Sequence, residues 1–309
     1  MVKLSQKDVL RSDQFSKEEI KLIMDTARGY ERALEEGTVL EDMKGKILST
    51  LFYEPSTRTR LSFEAAMQRL GGKVVSVAEA KSSSAAKGES LHDTIRTVDG
   101  YADVIVLRHP QIGAAAEAAK ATSKPVLNAG DGAGQHPTQS LLDLYTILKE
   151  QGKVDGLTIA LAGDLKNGRT VHSLALLLAN YDVQFTFVAP NALGMPAEIV
   201  EKVRAQGIEV AESEDLGDAI RQADVLYMTR IQRERFDDPS EYDRLKDAYV
   251  LTRTMLSEAK PGFCVMHPLP RVNEIAPDVD AFNGAAYFRQ AANGIPIRMA
   301  LLMLASNAA

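Results

Sequence analysis

The chain has 309 residues, 45% of them hydrophobic and 25% charged, a balance that excludes a disordered chain, a collagen or a disulfide-stapled miniprotein. Lys and Arg number 36 against 42 Asp and Glu, a net charge of −6, which argues against a general nucleic-acid binder but leaves room for a local basic cluster that captures a small anion. At roughly 150 residues per domain, the length suggests about two domains. The single cysteine, Cys264, excludes an internal disulfide framework and a cysteine-based zinc site, and within Gly262–Met266 it reads as a small buried hydrophobe. The N-terminus has no apolar signal core, and the longest apolar runs, such as Leu174–Ala179, fall far short of the roughly 20 residues that span a bilayer. These features predict a cytoplasmic protein with neither a membrane nor a nucleic-acid partner.

In chain order, Ser16-Lys17-Glu18-Glu19 forms a capping box that opens a helix to about Leu34. Strands are expected over 46–53, 73–77, 102–107 and 125–128, separated by helices over 60–70, 90–101 and 113–121. A long helix over 137–151 follows. A second series then places strands over 157–162, 183–188, 208–211, 223–228 and 263–267, with helices over 170–180 and 196–206 between them. The apolar helix 295–306 has no strand after it and is expected to pack back. Such alternation predicts α/β architecture: two doubly wound parallel-sheet domains, with a boundary near 135–150. In open α/β sheets, ligands gather at the carboxyl ends of the strands.

After the first strand comes Ser56-Thr57-Arg58-Thr59-Arg60, three hydroxyls and two guanidinium groups where a helix should begin. A cap needs one hydroxyl, so this cluster points to an anion held by free backbone N–H groups, the helix dipole and the arginines. After the third strand comes Arg108-His109-Pro110. A glycine-rich turn, Gly130–Gly134, leads to His136-Pro137-Thr138-Gln139, where His136 and Gln139 share one face. His92, His109 and His172 lack such company and read as structural. In the second series, Gly163–Thr170 nearly matches the nucleotide P-loop, but Arg169 stands where the lysine belongs, and an arginine fork suits a carboxylate better. Later strands end in Thr229-Arg230-Ile231-Gln232 and His267-Pro268-Leu269-Pro270-Arg271, the second with X-Pro bonds that allow a cis peptide. The pattern suggests a cleft between the domains, phosphate-like anion on one wall and a dicarboxylate on the other, with no metal ligand set and no activated nucleophile.

These motifs, with Lys87-Gly88-Glu89 and Arg169-Thr170-Val171-His172, resemble the aspartate/ornithine carbamoyltransferase family over essentially the whole chain and in the family's order. His267-Pro268-Leu269-Pro270, in place of a cysteine-containing string, and Lys87 resemble the aspartate branch. The resemblance implies a carbamoyl phosphate-binding domain at 1–137, with the helix at about 290–309 packing back on it, and an aspartate-binding domain at 150–288. It implies carbamoyl transfer from carbamoyl phosphate to the α-amine of L-aspartate in de novo pyrimidine synthesis, by direct attack, without a covalent enzyme intermediate or a cofactor. Carried over residue by residue, it has Ser56, Thr57, Arg58, Thr59, Ser83, Arg108, His136, Gln139, Leu269 and Pro270 binding carbamoyl phosphate, and Lys87, Arg169, Thr170, Arg230 and Gln232 binding aspartate. It assigns Arg58, Thr59, Lys87, Arg108 and His136 to catalysis; since no side chain here is an obvious base, the departing phosphate is a candidate proton acceptor. The resemblance further implies a homotrimer with shared active sites, completed by Ser83 (four residues before the lysine, among Ser82–Ser84) and Lys87 from a neighbour, and leaves regulatory chains open as partners. The segments 81–88 and 232–239 are expected to be mobile loops.

Overall fold

A computed structural model of the chain describes residues 3–79, 84–233, 236 and 238–308. Two compact units emerge: one runs through Leu142 and resumes at Asn293, and the other is Asp143–Ala292.

Helix α1, Lys17–Glu35, opens with the capping box read from the sequence: the Ser16 hydroxyl accepts the Glu19 N–H, and the Glu19 carboxylate accepts the Ser16 N–H. Ser5 adds its N–H and hydroxyl to the same carboxylate at 2.7 and 2.9 Å, tying the N-terminal segment to the helix. Burial pushes the Glu19 pKa up, but the hydrogen bonds from Ser5 and Ser16 outweigh it and hold the carboxyl below its ordinary value.

The sheet of the first unit contains β1 (Ile47–Phe52), β2 (Lys73–Val77), β3 (Val104–His109) and β4 (Val126–Asp131), all parallel, in the order β2-β1-β3-β4. Helices α2 (Thr57–Arg69), α3 (Leu91–Asp99) and α4 (Ala114–Lys120) connect them, and α5 (Pro137–Gln151) follows. The central strands read as continuous apolar runs because both faces are covered. Val104, Ile105 and Val106 are fully buried, and Ala114 and Ala118 of α4 pack with Ile105 and Leu107 on one face of the sheet. Strands β3 and β4 run further than expected, which puts Arg108 inside β3, opposite Phe52 of β1.

In the second unit, β5 (Leu157–Ala162), β6 (Val183–Val188), β7 (Val210–Ser213), β8 (Val225–Met228) and β9 (Cys264–Met266) form a parallel sheet in the order β7-β6-β5-β8-β9. Its helices are α6 (Arg169–Leu178), α7 (Ala197–Arg204), α8 (Leu216–Gln222) and α9 (Pro239–Leu245). The sequence reading missed α8 and α9. The first carries an Asp215 cap on the Asp218 N–H and buries Leu216, Ala219 and Ile220, a signal shortened to two turns. Cys264 is buried in β9, and that burial pushes its thiol pKa far up.

The last helix, α10 (Tyr287–Ala308), starts about two turns earlier than the expected 295–306, which puts Pro296 in its interior. Proline there removes one backbone donor, a cost the helix tolerates because its later half is deeply packed. Ile297, Met299, Ala300, Leu301 and Leu302 are fully buried, and Arg298 lies over the Phe63 ring at 4.9 Å.

Candidate active site

Each sheet has one point where the strand order reverses, and in each it is marked by charged or hydroxyl side chains. In the first unit the chain runs from β1 out to β2 and returns on the other side to β3, so the switch lies between the carboxyl ends of β1 and β3. Ser56 caps α2 from an extended backbone, φ −159° and ψ 102°, but its hydroxyl makes no capping hydrogen bond. The first-turn N–H groups of this 13-residue helix thus receive nothing from the cap side chain, and no acidic side chain stands in that turn, the setting in which a helix start suits an anion. Thr59 is buried, whereas Ser56 is half-buried and Thr57 exposed. Arg58 is exposed by area, yet partial desolvation lowers its pKa from the ordinary value; a guanidinium stays charged regardless. Arg60 goes elsewhere. It reaches Ser76 at 3.3 Å and Glu64 at 3.5 Å.

Arg108, 8% exposed, donates to the Ala129 carbonyl at 3.2 Å and faces a Glu54 carboxylate oxygen at 3.2 Å. Glu54 was not singled out from the sequence, although its place directly after β1 was a usable signal. His136 is buried just ahead of Pro137 at the start of α5, with Gln139 half-buried one turn on. The turn before them is shaped by Asp131, which accepts the Gln135 N–H at 2.7 Å and the Gly113 N–H at 2.9 Å. Gly132 has φ +53°, and a Cβ there would sit 2.4 Å from the Pro110 carbonyl oxygen, so only glycine lets this turn lie against the chain leaving β3. Lys87 ends a short 3-10 turn, Ser84–Lys87, and is exposed. Ser83 lies outside the described residues, as do Lys81 and Ser82.

In the second unit the chain runs β5 to β6 to β7 and returns to β8, so the switch lies between β5 and β8. Gly163 ends β5 with φ +118°, and a Cβ there would lie 2.1 Å from the Thr229 carbonyl oxygen. The glycine therefore permits the β5 and β8 exits to run side by side. Arg169, at the first position of α6, and Arg230, just beyond β8, are both half-buried, as are Thr170 and Gln232. Buried Asp164 accepts the Asn167 N–H at 3.0 Å, and the Gln232 amide donates to the Asn167 carbonyl at 3.3 Å, which joins the two exits. Burial raises the Asp164 pKa despite these bonds. His172, expected to be structural, donates from Nε2 to the Leu165 carbonyl at 2.6 Å and braces the same loop from α6. His109 likewise accepts the Gln111 N–H at 3.1 Å, and exposed His92 pairs with its neighbour Asp93.

Beyond β9, Leu269 is partly exposed with φ +52°, and the peptide from it to Pro270 is cis. A left-handed leucine costs of order 1–2 kcal/mol and persists only where its surroundings hold it. From the segment 232–239, Glu234, Arg235 and Asp237 lie outside the described residues.

A family model for the aspartate/ornithine carbamoyltransferase carbamoyl-P binding domain matches residues 7–149, and one for the Asp/Orn binding domain matches 155–305. The chain belongs to the aspartate/ornithine carbamoyltransferase family. Within it, the chain is 56% identical over 298 residues to the aspartate carbamoyltransferase catalytic subunit of Thermococcus gammatolerans, covering 96% of this chain and 97% of that one. The solved catalytic subunit of Methanocaldococcus jannaschii aspartate transcarbamoylase is 52% identical, with TM-score 0.90 over 96% of this chain and 97% of that one. Aspartate transcarbamoylase from Trypanosoma cruzi, solved in complex with carbamoyl phosphate and aspartate, is 43% identical, with TM-score 0.91 over 97% of this chain and 95% of that one. Among the described residues, no helix is long and apolar enough to cross a membrane, and no three His, Cys, Asp or Glu gather as a metal site.

Proposed function

We propose that this member of the carbamoyltransferase family transfers the carbamoyl group of carbamoyl phosphate to the α-amine of L-aspartate, giving N-carbamoyl-L-aspartate and phosphate in de novo pyrimidine synthesis. The observation that carries the reading is the pairing of features at the two switch points. One has a helix start whose cap hydroxyl is left unused, beside Arg108; the other has two half-buried arginines and no acid on the first turn of α6. The names of the aspartate-branch relatives support it.

On this reading the first turn of α2, with Ser56, Thr57, Arg58 and Thr59, holds the phosphate, and Arg108 bridges phosphate and carbonyl. His136, Thr59 and Arg108 donate to the carbonyl oxygen as negative charge develops there, the stage at which fixed donors are worth most. Gln139 and the backbone of Leu269 and Pro270 hold the carbamoyl NH₂. Arg169, Arg230, Thr170, Gln232 and Lys87 hold the aspartate carboxylates and set its amine against the carbonyl carbon. The amine attacks directly, the C–O bond to phosphate breaks, and the departing phosphate takes the proton released by the new C–N bond; no covalent enzyme intermediate forms.

We extend the proposal to a cytoplasmic homotrimer in which Ser83 and Lys87 complete a neighbour's site. Exposed Lys87, and the largely exposed edge strand β2 with Val75 45% and nearby Leu61 51% exposed, suit a covered face.

Phosphate release from carbamoyl phosphate, measured with L-aspartate, with L-ornithine and with an Arg58→Ala control, tests the reaction. Turnover with aspartate alone, lost in the control, is the expected result. Turnover with ornithine would remove the assigned roles of Arg169 and Arg230.

A further inference from the structure

The chain leaving β9 is gripped by buried side chains that take no part in the chemistry proposed above. His267 is 1% and Glu274 4% exposed. Nε2 of His267 lies 2.7 Å from Glu274 Oε1, while Nδ1 of the same ring accepts the Leu269 backbone N–H at 2.8 Å. A ring nitrogen that accepts an N–H carries no proton, so the imidazole is neutral and its one proton, on Nε2, is donated to the carboxylate. The second oxygen, Oε2, accepts the N–H groups of Val272 and Asn273, both at 3.1 Å. One carboxylate therefore gathers three donors from the two ends of the Pro268–Arg271 turn. Burial pushes the Glu274 pKa up, but the His267 and backbone hydrogen bonds prevail and hold it below its ordinary value, so the group is charged as the arrangement requires.

The entry to the turn is anchored too. Gln290 Oε1 accepts the His267 N–H at 2.8 Å, Gln290 Nε2 donates to Asp143 Oδ1 at 2.6 Å, and the Tyr227 hydroxyl donates to Asp143 Oδ2 at 2.9 Å. All these residues belong to the second unit. What they hold in place is Leu269, at φ +52°, a conformation that leucine does not keep unaided.

We infer that Glu274 and His267 are positioning residues for carbamoyl transfer: the carboxylate fixes the imidazole tautomer, and Nδ1 then fixes the Leu269–Pro270 backbone that receives the carbamoyl NH₂. This rests on the reading of the reaction given above.

The requirement for a carboxylate follows from donor and acceptor counting. A glutamine at 274 has one carbonyl oxygen, which can face the His267 Nε2–H or the two backbone N–H groups but not both. Its NH₂ must then oppose a donor. If the ring changed tautomer to accept that NH₂, Nδ1 would carry a proton against the Leu269 N–H. An almost isosteric change therefore disturbs the turn without changing the packing volume. At position 267, asparagine offers Oδ1 where Nδ1 stands and keeps the Leu269 acceptor, whereas phenylalanine keeps a ring and loses the acceptor.

The test is steady-state kinetics of the full chain with carbamoyl phosphate and L-aspartate, run beside thermal melts, for Glu274→Gln, His267→Asn and His267→Phe. In Glu274→Gln, kcat is expected to fall and KM for carbamoyl phosphate to rise, together about 10- to 100-fold in kcat/KM, with KM for aspartate within about twofold. His267→Asn should retain clearly more activity than His267→Phe. Wild-type kinetics in a folded Glu274→Gln, or equal losses in the two His267 variants, would overturn the inference. So would loss of the cooperative melt in both Glu274→Gln and His267→Asn, since the pair would then support the fold rather than the turn. A wild-type chain that releases no phosphate with aspartate strikes the reaction itself, and is told apart because it needs no variant.

Discussion

At the scale of single residues, position within one short motif gives two arginines different surroundings. Arg58 stands in the open first turn of α2, while Arg60 is engaged by Ser76 and Glu64. Arg58→Ala should lower kcat/KM by about 10²–10³-fold, the usual cost of a lost donor to developing charge, whereas Arg60→Ala should cost less than about tenfold; phosphate-release kinetics on both decides. For the pair proposed to bind the aspartate carboxylates, Arg169→Ala or Arg230→Ala should raise KM for aspartate about 10- to 100-fold, the equivalent of one or two charge-assisted hydrogen bonds, and leave KM for carbamoyl phosphate nearly unchanged. Residue types after strands were legible in the sequence, because Ser/Thr/Arg clusters and a misplaced P-loop arginine have few structural uses. Hidden from it were the partners: Glu54 beside Arg108 and Glu274 beside His267 lie 54 and 7 positions from the residues they meet. The first pairing joins separate elements, and the second closes across an irregular turn, so local periodicity announces neither.

At the scale of elements, the switch points depend on glycines as much as on charges. Gly163→Ala must place a methyl where the Thr229 carbonyl now lies and force φ +118° on an L side chain. It should destabilise the chain by about 3 kcal/mol or more and depress aspartate use, readable as a lowered melting temperature with a raised KM. By contrast, Ser16→Ala removes only the α1 cap, so it should cost about 1 kcal/mol, or about 2–4 °C in melting temperature, with kinetics unchanged. Strong periodicity made most helices and all nine described strands recognisable. Helices α8 and α9 are only seven residues long, too short to show a 3.6-residue period, and the start of α10 was set too late because Arg289, Gln290, Asn293 and Gly294 break the apolar pattern ahead of Ile295.

On the scale of the molecule, several buried groups couple stability to pH in the same sense. Burial holds the His172 pKa below its ordinary 6.5, so on acidification the unfolded chain takes up a proton there that the folded chain refuses, and stability falls below that pH. Glu19 and Glu274, held below their ordinary 4.5, contribute stability that is present above that value and is lost as pH drops through the folded pKa. Asp164, with its pKa raised, acts in the opposite direction and softens the loss. The melting temperature should therefore decline from pH 7 to pH 5, and His172→Gln should flatten that decline; an unchanged slope in the variant would assign the loss to other groups. By itself the sequence determined two parallel α/β sheets and which chemical groups end their strands, since apolar period and capping chemistry are local properties of the chain. Only the tertiary structure decided that β1 neighbours β3 and β5 neighbours β8, that Arg60 turns to Ser76 and Glu64, and that Glu274 meets His267 across a turn, because strand order and side-chain pairing follow from packing that no local pattern announces.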